Sequence, residues 1–266
     1  TAKPACASVY GTTGLKLPIN PNGSTILNYP FGIFIDANDV VYVSDMNNNR
    51  VLTWTQGASA GTAIIQSQSV YVDRSGYVYV VSKDTSKYIS KYPPGINQTA
   101  ILTGPISNSS SSSYAVFGDL AGNLYANDYD KYIVNRFNLS GGRANDSCRY
   151  FNGSSTGTGP NQSAQSDYIY VDASYVVYVS DTTNSRIQKW VPPYTTGVTV
   201  AGDGTAASLQ HVEGIVVDPC NGNIYVADRY NQRLQVFPPR NLTRTTVVGY
   251  TTLSSPLSVA LDSKAN

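Results

Sequence analysis

One histidine and one glutamate are all that the 266-residue chain has of either type, and they stand two residues apart, as His211 and Glu213 in "LQHVEGI". A single imidazole excludes a zinc site with several histidine ligands, and it leaves no credible Ser/His/Asp arrangement. Glu213 is the first candidate for a cation held on an axis, with the sparse acids Asp39, Asp84, Asp130, Asp146, Asp167 and Asp203 as possible company. Read structurally, Glu213 is a solvated rim residue, and that reading is the expectation here. No cofactor and no metal is implied.

The other chemistry-bearing residues recur. "VVYVSDMNNNRVLTW" at 40–54 returns as "VVYVSDTTNSRIQKW" at 176–190 and "NIYVADRYNQRLQVF" at 223–237. Asp45, Asp181 and Asp228 stand five residues before Arg50, Arg186 and Arg233, and Asp128 occupies the position in a copy where Ile133 replaces the arginine. A carboxylate and a guanidinium flanking one tight turn pair as a hairpin clamp. A motif stamped repeatedly along the chain is architecture, because catalysis needs one asymmetric constellation. A second series, Asp36, Asp73, Asp119, Asp172, Asp218 and Asp262, ends short apolar stretches at a mean period of about 45 residues. Each of these carboxylates opens a turn and is expected to bond its own backbone.

These residues need strands to position them. Alternating apolar pairs such as Ile33/Ile35, Val70/Val72 and Ile169/Val171 precede the anchors, and a tyrosine follows six residues later at Tyr42, Tyr79, Tyr125 and Tyr178. Period two means strand, and "DRSG" and "DLAGN" carry turn chemistry, so the two strands form a hairpin. A third strand ends on Trp54, Tyr92, Phe137, Trp190 or Phe237, and a fourth reads like "GTAIIQ" or "GVTVAG". Each copy is a four-stranded antiparallel meander that cannot bury both faces alone, so the copies must stack, radially as a propeller.

"YPFGIFIDANDVVYVSDMNNNRVLTW" resembles the NHL repeat, with its P-x-G-I-x-x-D, Y-V-x-D and N-x-R-V/I. The likeness is weaker in the second copy, with Ser82 and Lys87 at motif positions, and in the third. The resemblance implies an all-β, six-bladed propeller in one domain over 1–266. The blades are expected near 30–66, 67–104, 113–152, 166–202, 212–250 and 256–266, the last completed by an outer strand at 6–10. The resemblance also raises the alternative of a lyase or lactonase with a metal in the channel. The zinc of the amidating lyases needs histidines that the chain lacks, whereas a Glu/Asn/Asp calcium site of the paraoxonase type stays open.

Composition narrows the partners. Charged residues are 13% and the net charge is +1, so no field recruits nucleic acid, and no apolar run reaches the length of a membrane span. Eight N-x-S/T sequons, at Asn22, Asn97, Asn108, Asn138, Asn145, Asn152, Asn161 and Asn241, point to N-linked glycans on loops or outer edges of a secreted, extracellular protein. Of three cysteines, Cys6 and Cys148 fall on opposite sides of the ring, and Cys220 sits in a turn next to the sixth blade, where Cys6–Cys220 is one possible pair. An incomplete sixth blade exposes strand edges, which a neighbouring copy could complete head-to-tail as a homopolymeric filament, or which a longer chain could complete itself. The expected function is that of a non-catalytic binding or assembly module, not an enzyme.

Overall fold

The computed structural model describes residues 26–65, 69–81, 88–95, 100, 102–105, 113, 115–128, 132–138, 148–149, 157–193, 196–202, 208–239, 244–248 and 253–262. Twenty strands form five four-stranded antiparallel sheets. Blade one holds β1 (Pro30–Ile35), β2 (Val41–Asp45), β3 (Arg50–Trp54) and β4 (Thr62–Ile65). Blade two holds β5 (Ser69–Val72), β6 (Val78–Val81), β7 (Tyr88–Tyr92) and β8 (Leu102–Pro105). Blade three holds β9 (Val116–Gly118), β10 (Asn123–Asp128), β11 (Ile133–Asn138) and β12 (Cys148–Arg149). Blade four holds β13 (Ser166–Val171), β14 (Val177–Asp181), β15 (Arg186–Trp190) and β16 (Gly197–Ala201). Blade five holds β17 (Val212–Val217), β18 (Ile224–Asp228), β19 (Arg233–Phe237) and β20 (Thr245–Val248).

Hydrophobic clusters lie between blades, which is why one copy cannot fold alone. Val51, Val70 and Val80 join blades one and two; Tyr71, Val81, Leu124 and Phe137 join two and three. Tyr125, Ile169 and Trp190 join three and four, and Ile187, Ile215, Val226 and Phe237 join four and five.

Register within a blade follows from the anchor aspartates. In the turn between the first two strands, Asp36 Oδ1 accepts the amides of Asn38 and Val40 at 2.8 and 3.0 Å, and Oδ2 accepts the Tyr42 hydroxyl at 3.2 Å. Asp73, Asp119 and Asp172 repeat the arrangement with Tyr79, Tyr125 and Tyr178 at 3.1, 3.0 and 3.3 Å. The six-residue spacing is thus the reach of one carboxylate across a hairpin. Burial, then the Asp36 carboxylate, pushes the Tyr42 hydroxyl up to about 12, so it stays a donor.

Five blades, not six, form among the described residues. The outer strand expected at 6–10 lies outside them, as do residues 263–266, and 256–262 carries no strand. A strand needs a continuous ladder, and this segment is held by isolated bonds instead. The Gly214 amide donates to the Leu257 carbonyl at 2.9 Å, and the Ile33 amide to Ser258 Oγ at 3.2 Å. It passes between blades five and one as a strap. No helix of the described residues is long and apolar enough to cross a membrane.

Candidate functional site

Two carboxylates meet at one end of the channel because of register. Counting back five residues from Asp36, Asp172 and Asp218 reaches Phe31, Asp167 and Glu213. Blade one places an apolar ring there, and neighbouring blades four and five place acids at the starts of β13 and β17. His211 stands just before β17 in a left-handed conformation, φ 55°, as Tyr29 does before β1. Arg229 follows β18.

Ligand atoms of Asp167, His211 and Glu213 lie within 4.8 Å of one another. Arg229 Nη1 donates to Glu213 Oε1 at 2.9 Å, and His211 Nε2 lies 3.5 Å from the same oxygen. The His211 ring stacks on Tyr230, 4.4 Å between centroids and 6° from parallel, and the Arg229 guanidinium sits 5.8 Å from the Tyr29 ring centre and 5.6 Å from that of Tyr230. These aromatic faces roof the acid. Glu213 is therefore 1% exposed and is not the solvated rim residue expected. Its Oε2, and Nε of Arg229, are buried without a hydrogen-bond partner among the described residues.

Burial, then the Asp167 carboxylate, raises the Glu213 carboxyl to about 8, against the pull of Arg229. Burial raises Asp167 to about 6, offset by Thr182 and Arg229. Burial and then Arg229 lower His211, leaving a neutral imidazole at pH 7. The centre thus sets a protonated carboxylic acid beside a neutral base and a fixed cation.

The repeated Asp/Arg pairs do something different. Arg50, Arg186 and Arg233 donate through Nε to Asp45, Asp181 and Asp228 at 2.7, 2.8 and 2.6 Å. The same carboxylates accept Asn48, Asn184 and Asn231 side chains and the amides of Asn28, Ala164 and Gln210. The guanidinium groups reach back to carbonyls of the segment entering the blade, including Ile26, Thr158 and Ser208. Each pair holds its turn to the segment that enters the blade.

Deeper in the channel, Tyr168 extends from β13 and shares a hydrogen bond with Ser258 Oγ. Counting back four from the anchors gives Gly32, Tyr168, Gly214 and Ser258. A β-carbon on Gly32 would stand 2.9 Å from Ser44 Oγ, so the glycine makes room for the Ser44 hydroxyl that its own amide donates to, and the Tyr168 hydroxyl of another blade would lie in ordinary contact at 3.7 Å.

Of the sequon asparagines, Asn161 is exposed in a turn. Asn138 is the last residue of β11, opposite Asn123, and so not on a loop as expected. Asn22, Asn97, Asn108, Asn145, Asn152 and Asn241 lie outside the described residues. Cys220 is disulfide-bonded, to a partner not among the described side chains.

The NHL repeat profile matches residues 209–237, the span that carries His211, Glu213, Arg229 and Arg233. The fold is a β-propeller, and this segment of it carries an NHL repeat. Among curated proteins no sequence match is found. Solved structures share its fold. A structural-genomics protein of unknown function from Bacteroides thetaiotaomicron is 18% identical with TM-score 0.68, over 90% of this chain and 66% of that one. A streptogramin B lyase is 12% identical, TM-score 0.60, over 82% and 67%. Virginiamycin B lyase from Staphylococcus aureus is 11% identical, TM-score 0.59, over 82% and 69%. Identities this low establish the propeller and nothing finer.

Proposed function

We propose that this NHL propeller binds a small ligand at the Glu213 end of its channel and acts on it by acid–base chemistry of the lyase class. One observation carries the reading: Glu213 is a buried acid with one oxygen on Arg229 and the other unpartnered among the described residues. This departs from the sequence expectation of a propeller without catalytic chemistry. The fold relatives add support, since two are lyases and a catalytically inactive His-to-Ala variant of one was solved with quinupristin.

An elimination uses each group once. Neutral His211 takes a proton from a carbon next to a carbonyl, and Arg229 holds the carbonyl oxygen as it becomes an enolate. The electron pair then expels the leaving oxygen, and protonated Glu213 supplies its proton. The donors also fit a hard divalent cation, two carboxylates and one imidazole, though not a zinc site of several histidines. Asp167, His211 and Glu213 would hold it, and it would polarise a bound carbonyl. Carbon-13 NMR titration tests the centre directly. A Glu213 carboxyl titrating near pH 8 supports the reading, and one titrating at its ordinary value ends it. Turnover of quinupristin, lost in Glu213→Gln, would extend it to activity, and metal analysis of the purified protein separates the two forms.

The setting we propose is extracellular. The Cys220 disulfide suits an oxidising compartment, and exposed Asn161 offers a glycan site on a turn. Peptide mass spectrometry of natural material, read at Asn161, checks this, and an unmodified asparagine there speaks against it.

A further inference from the structure

The far end of the channel, beyond Tyr168, holds a cavity of about 270 Å³ lined by the innermost strand of every blade and by Val259–Asp262 of the strap. Its chemistry is set two residues before each anchor, at Phe34, Tyr71, Phe117, Tyr170, Val216 and Ala260. The four rings form an unbroken arc around the axis. Phe34 and Tyr71 stand 5.4 Å apart between centroids, Tyr71 and Phe117 5.2 Å, Phe117 and Tyr170 5.0 Å, with planes inclined by 76°, 41° and 52°. Phe34, Phe117 and Tyr170 line the cavity and are only half-buried. At Val216 and Ala260, which also line the cavity, the arc gives way to small side chains. For comparison, an apolar cavity of roughly 150 Å³ already admits benzene.

The anchor carboxylates ring this same end. Asp36, Asp73, Asp119, Asp172 and Asp218 each accept a hydrogen bond from an amide of their own turn. The field reaches the arc: the Tyr71 hydroxyl is raised by burial and then by Asp73 and Asp119, against Arg74, and that of Tyr170 by burial and then by Asp172 and Asp218. Lys91 and Lys189 lie over Tyr77 and Tyr178, on the third strands, away from the inner arc. Among the described residues no lysine or arginine lines the cavity, and Asp262 does.

Aromatic walls inside a ring of carboxylates suit a cation that carries its own apolar coat. We propose that this cavity is a binding site for a small organic cation of the quaternary-ammonium type, separate from the Glu213 centre and divided from it by Tyr168. Binding at one end does not depend on chemistry at the other.

Calorimetric titration with choline and with its neutral isostere 3,3-dimethylbutan-1-ol tests the charge and the shape together. Choline should bind at least about tenfold more tightly, the factor equivalent to ~1.4 kcal/mol. Val216→Trp, which fills the gap in the arc, should abolish choline binding, and Phe117→Leu, which keeps an apolar wall without a ring, should weaken it severalfold. Glu213→Gln should leave it unchanged. If Val216→Trp does not fold, Ala260→Leu narrows the same gap. Absence of choline binding to the wild type, equal binding of the isostere, or binding that survives occlusion of the gap would each overturn the proposal. A normal Glu213 titration alongside intact choline binding would remove only the lyase reading.

Discussion

Asp181 and Glu213 are both buried carboxylates with an arginine partner, yet they are built to opposite ends. Asp181 is saturated by Arg186, Asn184 and the Ala164 amide, and its guanidinium spends its other donors on the Thr158, Gly159 and Gln162 carbonyls. Glu213 has one partnered oxygen, one bare oxygen, and another acid alongside. Satisfied polar groups hold structure; an unsatisfied buried acid sits at a higher free energy that a ligand, a proton or a cation can lower. The contrast separates the repeated chemistry from the chemistry that occurs once.

The largest expected effect breaks the satisfied side. Arg186→Ala strands a buried carboxylate and three carbonyls, and should cost about 3–5 kcal/mol in urea unfolding. Isosteric Glu213→Gln should cost little at neutral pH, where the wild-type acid is already protonated. A loss there as large as for Arg186 would erase the distinction.

Next comes pH. The folded Glu213 carboxyl is raised to about 8 from an ordinary 4.5, so its favourable contribution is complete below about pH 4.5 and is lost as pH rises through about 8. Melting followed from pH 5 to 9 should show a decline on the order of a few kcal/mol across that window, shared with Asp167, which is raised in the same direction to about 6. Glu213→Gln should flatten the decline. An equally steep slope in the variant would place the titration elsewhere.

Gly214 tests how the strap is seated beside the acid. A β-carbon there would collide with Ser258 Cα and lie 2.8 Å from the Val259 amide nitrogen. Gly214→Ala should therefore cost about 1–3 kcal/mol in thermal unfolding, and shift the Glu213 titration if the strap helps to cover the site. The smallest effect is a gain. The five anchor turns put Asp39, Gly76, Gly122, Tyr175 and Gly222 at positive φ, with Tyr175 at 64°. Tyr175→Gly should stabilise the protein by up to about 1 kcal/mol, and chemical denaturation with no gain would mean that the Tyr175 side chain supplies an offsetting contact.

The repeated half of the molecule was readable because its logic is local. A carboxylate five residues before an arginine, or six before a tyrosine, spans one hairpin, and the spacing itself is the geometry. The Glu213 centre is assembled from blades four and five, so no spacing within one repeat reveals it. A signal was present: aligning repeats on their anchors puts Phe31, Asp167 and Glu213 in one register, and two acids in adjacent copies at a position that can be apolar mark a meeting of charges. Glu213 looked like a rim residue because its cover, Tyr29, Tyr230 and His211, comes from turns whose path is tertiary. Tyr168 was missed for a related reason, since its partner Ser258 is 90 residues away. The sixth blade was inferred from one more anchor, Asp262, and from an outer strand expected at 6–10, but among the described residues 256–262 forms no strand.

The arginine clamps have a consequence for how the chain is made. Arg50, Arg186 and Arg233 close onto carbonyls only 24, 28 and 25 residues upstream. Each latch can therefore shut as soon as its own hairpin has left the ribosome, with no need of blades still to be synthesised. A ring of this kind can be laid down one locked sector after another, and only its final seam must wait for the far end of the chain. Blade two, with Ser82 and Lys87 at the clamp positions, and blade three, with Ile133 in place of the arginine, are the sectors whose sequence lacks this Asp/Arg catch, and a stalled nascent chain would be most open to proteases there.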